Sequence, residues 1–222
     1  MILAIDTSTQ WMGLALYDGS QILYSKVWRT SRRHTVELVP AIQTALTETG
    51  VELKALKAIA VALGPGSFTS LRIGLAVVKG IALAQRIPLI GIPSLDITAN
   101  GIPLADHPLL AVLKAGRGRL AVQRYIPGEG RWDADGDIFM ASAAELEEMI
   151  TSPTIIAGEI NQEDRRMLER RWRNALVANP AQNIRQPSAL AELAWKRFET
   201  GEADDPAALA PIYLRTVNTP AD

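Results

Sequence analysis

Apolar residues fill the opening MILAID almost without break, which predicts a buried strand ending on Asp6. A polar TSTQ turn separates it from a second apolar run, WMGLALYD. Asp18-Gly19 then marks a hairpin, and QILYSKVW follows with rough alternation as a third strand. Beyond it the period changes. Val36, Val39, Ile42 and Leu46 recur at three- and four-residue steps, which predicts a helix that Gly50 stops. Residues 56 to 63 form a short apolar strand, GPGS interrupts, and residues 67 to 85 read as a second helix. Phe68, Leu71, Leu75, Val78, Ile81 and Ala82 share its broad face. IPLIGI is another strand, and PSLDITANGIPL a short helix leading to a boundary near 100–107.

The resulting order, β-β-β-α-β-α-β, differs from a dinucleotide-binding domain, which opens β-α-β. It is that of a ribonuclease-H-like lobe, an analogy of fold that carries no function by itself. The second half is less regular. HPLLAVLKAG and RLAVQRYI predict strands, 128–136 a loop, and SAAELEEMI a helix with a Ser142/Glu145 capping box. PTIIAGE predicts a strand, a charged helix spans about 162–173, and a last helix spans 188–200. No internal repeat is obvious in the sequence; an echo of the first half in the strands alone is what a worn second lobe of the same kind would leave. The expected division is an N-terminal lobe of residues 1–102 and a reduced second lobe of 103–222, with the C-terminal segment packing back on the first.

The 222 residues are 48% hydrophobic and 21% charged, with a net charge of -1. That suits a compact fold with an aliphatic core and gives no gross attraction to nucleic acid or membrane. Two local basic groups stand out: Arg29, Arg32, Arg33 and His34, and Arg165, Arg166, Arg170, Arg171 and Arg173. Each reads as a solvated helix face or as a surface for RNA phosphate. There is no cysteine, which removes thiolate metal sites and cysteine nucleophiles. No segment reaches the roughly 20 apolar residues of a membrane span, so a cytoplasmic protein is expected.

Candidate chemistry is sparse. His34 and His107 are the only histidines and form no ligand pair; His34 reads as a capping or surface residue before its helix. Asp6 ends the first strand, where open sheets place ligands. With Thr7, Ser8 and Thr9 it could hold magnesium or phosphate, or simply close an Asx turn. GPGSFTS lacks the lysine of a phosphate-binding GxxxxGK[ST] loop and the spacing of a serine nucleophile. Its glycines permit close backbone approach, and Ser67 is placed to cap the next helix. Gly74 and Gly80 leave small spots on that helix where a partner helix could approach.

Taken together, MILAIDTST, RRHTVELVPAI, GPGSFTSLRIGLAVVKGIALA, PSLDITA and PIYLR resemble the bacterial TsaB family of tRNA threonylcarbamoyladenosine biosynthesis. The resemblance implies a two-lobed α/β fold of the actin, sugar-kinase and Hsp70 group with a reduced second lobe. It implies a non-catalytic subunit that activates the paralogue TsaD. TsaE would join through the TsaD–TsaB pair, tRNA would be met indirectly, and the chain alone would form a homodimer. The interface would fall on the two helices of the first lobe, with Phe68, Leu71, Arg72, Gly74, Leu75, Val78 and Lys79 as candidate contacts. No catalytic or metal residue is expected, and Asp6, Thr7, Ser8 and Thr9 would give at most residual nucleotide or magnesium binding. Two positions depart from the family pattern: Ser70 stands for a glycine, and Lys114 for an acidic residue in the second lobe. A sugar-kinase-like phosphotransferase is the alternative. A peptidase is a third reading, against which the missing histidine pair and triad count.

Overall fold

The computed structural model describes residues 1–31, 33–171 and 173–214. The chain opens with β1 (Ile2–Asp6), β2 (Trp11–Tyr17) and β3 (Ile22–Arg29), an antiparallel meander. Helix α1 (His34–Thr49) leads by a short 3-10 turn to β4 (Ala58–Ala62). Helix α2 (Phe68–Gln85), β5 (Leu89–Ile92) and α3 (Ser94–Asn100) follow. β4 and β5 add in parallel on the far side of β1, giving the order β3-β2-β1-β4-β5.

Both faces of the sheet's central strands are buried, which explains why β1 and β4 are unbroken apolar runs rather than alternating ones. On one face Leu3, Ile5, Leu14 and Val61 meet Leu38 and Ile42 of α1 and Leu75 and Val78 of α2. The other face is lined by Ile2 and a patch of alanines: Ala4, Ala15, Ala58 and Ala60. Against it lies α6 (Pro187–Glu199) through Ala189, Leu190, Ala191 and Ala194. Small residues on both sides bring helix and sheet close.

The second sheet contains β6 (Leu109–Gly116), β7 (Arg119–Pro127) and β8 (Trp132–Ala134), again an antiparallel meander. β9 (Phe139–Ala141) pairs with β7, and α4 (Ala143–Met149) follows. β10 (Thr154–Gly158), α5 (Gln162–Glu169) and β11 (Ala175–Val177) complete it in the order β11-β10-β6-β7-β8. Read from the other edge, this is the strand path of the first sheet. The Ser142/Glu145 capping box is present, with Glu145 N–H donating to Ser142 Oγ at 3.2 Å and Ser142 N–H to Glu145 Oε2 at 2.5 Å.

Two expectations need correction, and one strand is an addition to them. Residues 128–136 are not all loop, because Trp132–Ala134 pairs along the free edge of β7. The charged helix ends at Glu169 rather than near 173, and Leu168 is its one buried residue. β11 has three residues, too few to leave a periodic signal.

Candidate functional site

The turn after β1 and the loop before α2 fold into each other. Ser8 N–H donates to Asp6 Oδ1 at 2.8 Å, an Asx turn, and Thr7 Oγ1 donates to the Ser70 carbonyl at 2.9 Å. Ser8 Oγ lies 2.6 Å from Ser94 Oγ, which also accepts from Gly64 N–H. Ser67 N–H donates to the Ser8 carbonyl at 2.7 Å. Two glycines permit this approach. A Cβ on Gly66 would overlap the Ser8 carbonyl, and one on Gly74 would overlap Thr7 Oγ1. Gly74 therefore admits a turn of its own chain, not a partner helix.

Two further readings change here. Ser67 occupies the N-cap of α2, but its hydroxyl accepts from Ser70 Oγ at 2.9 Å and makes no cap bond. His34 is the buried first residue of α1, neither cap nor surface; its Nε2 donates to the Thr9 carbonyl at 2.9 Å. Ser70, the departure from the family glycine, fits by bonding inward.

The centre of the cleft is occupied by a residue that the pattern analysis passed over. Arg185 lies in the segment before α6. Its Nε donates to Asp6 Oδ2 at 2.8 Å, one terminal nitrogen to Glu159 Oε1 at 2.9 Å, and the other to Thr9 Oγ1 at 3.2 Å. Thr9 in turn donates to Glu159 Oε1 at 2.5 Å. The Arg185 side chain is 1% exposed, that of Asp6 4% and that of Glu159 12%. Burial alone draws the guanidinium pKa down, and the two carboxylates more than offset this, so it stays charged. The one sequence signal was a parallel: Glu159 follows strand TIIAG as Asp6 ends MILAID. Nothing in the spacing indicated Arg185.

This arrangement does not fit a magnesium–nucleotide site. One Asp6 oxygen serves the turn and the other faces the guanidinium, leaving a cation no place beside it. Thr7, Ser8 and Thr9 are buried and spend their hydroxyls on internal bonds. Among the described residues no group of three or more His, Asp or Glu side chains could hold a metal ion. Lys114 borders the same cleft with Arg29 and Glu159.

On the opposite side of the first sheet, α1 and α2 lie together and leave an apolar outer surface. Val36 is 60% exposed, Val39 53%, Phe68 51% and Leu83 81%. Exposed Ala76, Gly80 and Ala84 and half-buried Ile73 and Val77 lie on α2 between them. Of the sequence candidates, Phe68 and Arg72 face outward and Lys79 is half-buried. Leu71, Gly74, Leu75 and Val78 face inward and are buried in this chain itself. Arg72 lies over the Phe68 ring, and its Nε donates to the Tyr213 hydroxyl at 2.9 Å. By length and composition α2 could cross a membrane, but its buried stripe packs on the sheet, as in a core helix.

The basic groups are dispersed. Arg29 donates to Gln10, and Arg32 lies outside the described residues. Arg165 is engaged by Glu169 and the Ala178 carbonyl, and Arg171 by Glu147. Of PIYLR, Arg215 also lies outside the described residues.

The family profile described as TsaD, tRNA N6-adenosine threonylcarbamoyltransferase, matches residues 28–169. The Bacillus subtilis tRNA threonylcarbamoyladenosine biosynthesis protein TsaB is 29% identical over 225 residues, covering 99% of this chain and 96% of that protein. The Escherichia coli TsaB is 40% identical over 101 residues, a match that spans 45% of this chain and 43% of the relative. Among solved structures, YeaZ from Pseudomonas aeruginosa superposes with a TM-score of 0.79 at 25% identity, covering 96% of this chain and 99% of that one.

Proposed function

The chain belongs to the TsaD family and, within it, to the TsaB/YeaZ paralogues of the actin-like fold, and from this we propose how its surfaces are used. TsaB/YeaZ proteins are non-catalytic partner subunits in tRNA threonylcarbamoyladenosine modification rather than independent enzymes. This chain acts in that way. It carries no reacting group of its own and supports the catalytic paralogue TsaD in transfer of the threonylcarbamoyl group to adenosine 37 of tRNA.

One observation carries the reading: a buried arginine fills the cleft where a nucleotide and its metal would have to sit. Among the described residues a sugar-kinase reaction has no cation site to work from. Ser70 Oγ lies 3.5 Å from His34 Nδ1, but both side chains are buried and the other ring nitrogen meets the Thr9 carbonyl rather than a carboxylate, so a peptidase triad is not formed there.

TsaD docks on the outer surface of α1 and α2, where Val36, Val39, Phe68, Arg72, Lys79 and Leu83 form the contact. An apolar stripe of this kind on two neighbouring helices is costly in water and is relieved by a helical partner. The same surface closes a homodimer when TsaD is absent. TsaE reaches the chain through the TsaD pair, tRNA is met through TsaD, and the assembly works in the cytoplasm. The functional units are lobes 1–102 and 103–222, with α6 serving the first.

The test is co-purification with TsaD, followed by tRNA modification with and without this chain. Modification that TsaD performs equally well alone would overturn the role. Absence of Mg-ATP binding in calorimetry at millimolar nucleotide is expected.

A further inference from the structure

Two-lobed proteins commonly close around a ligand that bridges the lobes, and they open when it leaves. In this chain the bridge is a side chain. Asp6 and Thr9 belong to the first sheet and its turn, and Glu159 follows β10 of the second sheet. Arg185 lies before α6, the helix packed on the first sheet, and contacts all three. The cluster therefore ties the lobes at the end of β1 in the first sheet and the end of β10 in the second.

A second tie lies elsewhere. The Tyr125 hydroxyl on β7 donates to Asp96 of α3 at 2.6 Å, and Trp132 Nε1 on β8 donates to the Ile102 carbonyl at 2.9 Å. Between them Leu95, Ala99 and Ile102 pack against Leu109, Ala111, Leu113 and Tyr125 of the second sheet. With α3 fixed there, rotation of one lobe against the other has to separate Glu159 from Arg185 and Thr9. That motion would strip a buried guanidinium of one of its two carboxylates, a costly state in low dielectric.

We propose that Arg185 is a resident cation that replaces a bridging ligand and, through Glu159, locks the two lobes at one angle whether or not nucleotide is present. The lobes then form one rigid body, and the outer surface of α1 and α2 is held in a single orientation to the second lobe. The inference concerns the free chain, so it stands or falls separately from docking to TsaD.

The chain has no cysteine, so two introduced ones label it uniquely. Exposed Ser25 on β3 and Glu148 on α4 are replaced by cysteine and given nitroxide labels. The distance between them is read by pulsed electron resonance, with labelled protein diluted in unlabelled protein so that only distances within one chain count. The parent is expected to show one narrow distribution, unmoved by magnesium alone or by Mg-ATP at millimolar concentration. Glu159→Ala removes the second-lobe member while leaving the Arg185–Asp6 pair intact. It is expected to keep native circular dichroism and lose the single narrow population. Arg185→Met is expected to do the same; should it fail to fold, because Asp6 is left buried without its partner, Glu159→Ala decides alone. A broad parent distribution, a shift on adding Mg-ATP, or a folded Glu159→Ala variant with the parent's distribution would each overturn the lock.

Discussion

Replacing Gly74 by alanine asks whether α2 is shaped at that position for its own turn or for a partner. The added methyl would overlap Thr7 Oγ1, and Thr7 Cβ and Cγ2 would stand 3.1 Å away. Relieving the overlap moves a β-branched side chain in a packed interior, which costs about 1–3 kcal/mol. Displacing Thr7 Oγ1 also breaks its bond to the Ser70 carbonyl, worth about 1 kcal/mol net. Against this, alanine is better than glycine inside a helix by about 1 kcal/mol. The sum is a destabilisation of about 1–3 kcal/mol. Gly80 lies on the same helix with nothing within 4 Å of a built Cβ, so Gly80→Ala should gain about 1 kcal/mol from propensity alone. Urea unfolding followed by far-ultraviolet circular dichroism should therefore separate the two variants by about 2–4 kcal/mol. Adding Thr7→Ala to Gly74→Ala should recover part of the loss, because the nearest remaining side-chain atom is then Cβ. Equal midpoints for Gly74→Ala and Gly80→Ala would refute the packing account. A tryptophan at position 74, by the same geometry, destroys this chain's own fold and reports nothing about docking.

Three further outcomes are expected. Val39→Asp and Leu83→Asp, on the exposed surface, should leave stability within about 0.5 kcal/mol and abolish co-elution with TsaD, whereas Leu71→Ala should cost about 2–5 kcal/mol, measured by urea unfolding. Burial holds the Asp96 carboxyl above its usual range, against the hydrogen bond from Tyr125. The native state thus binds this proton more tightly than the unfolded chain, and its contribution is complete below about pH 3.9 and lost as pH rises through the native value. Asp96→Asn should gain on the parent as pH is raised from about 4 to 7, and parallel stability curves would contradict this. Ser142→Ala should cost about 1 kcal/mol through loss of the α4 capping box, seen as a lowered urea midpoint.

The first lobe was legible because its elements are long and locally consistent. MILAID, the Asp18-Gly19 turn and the spacing of Ile42 and Leu46 each point to one structure without help from elsewhere. The capping box at Ser142 was equally local. What escaped depends on remote contacts. Arg185 meets Asp6 across 179 positions, and only the return of α6 to the first sheet brings them together. Helical periodicity identified Leu71, Leu75 and Val78 as one face but could not say which object that face meets. The sheet takes it, and Val36, Val39 and Leu83 are left for solvent. β8 and β11 exist because β7 and β10 offered edges, not because three residues prefer extension. His34 looked like a helix preface, since nothing in its neighbourhood reveals that the Thr9 carbonyl awaits it.

The return of α6 also has a meaning in time. All five strands of the first sheet have been made once Ile92 is added, but the helix that covers their alanine-lined side begins at Pro187. A nascent chain leaving the ribosome thus carries Ile2, Ala4, Ala58, Ala60 and Ile90 on an open side throughout synthesis of the second sheet. The lobe begun first is the lobe finished last. A transcript truncated before Pro187 yields a sheet with one naked apolar side, a substrate for chaperones and for aggregation rather than a smaller working protein.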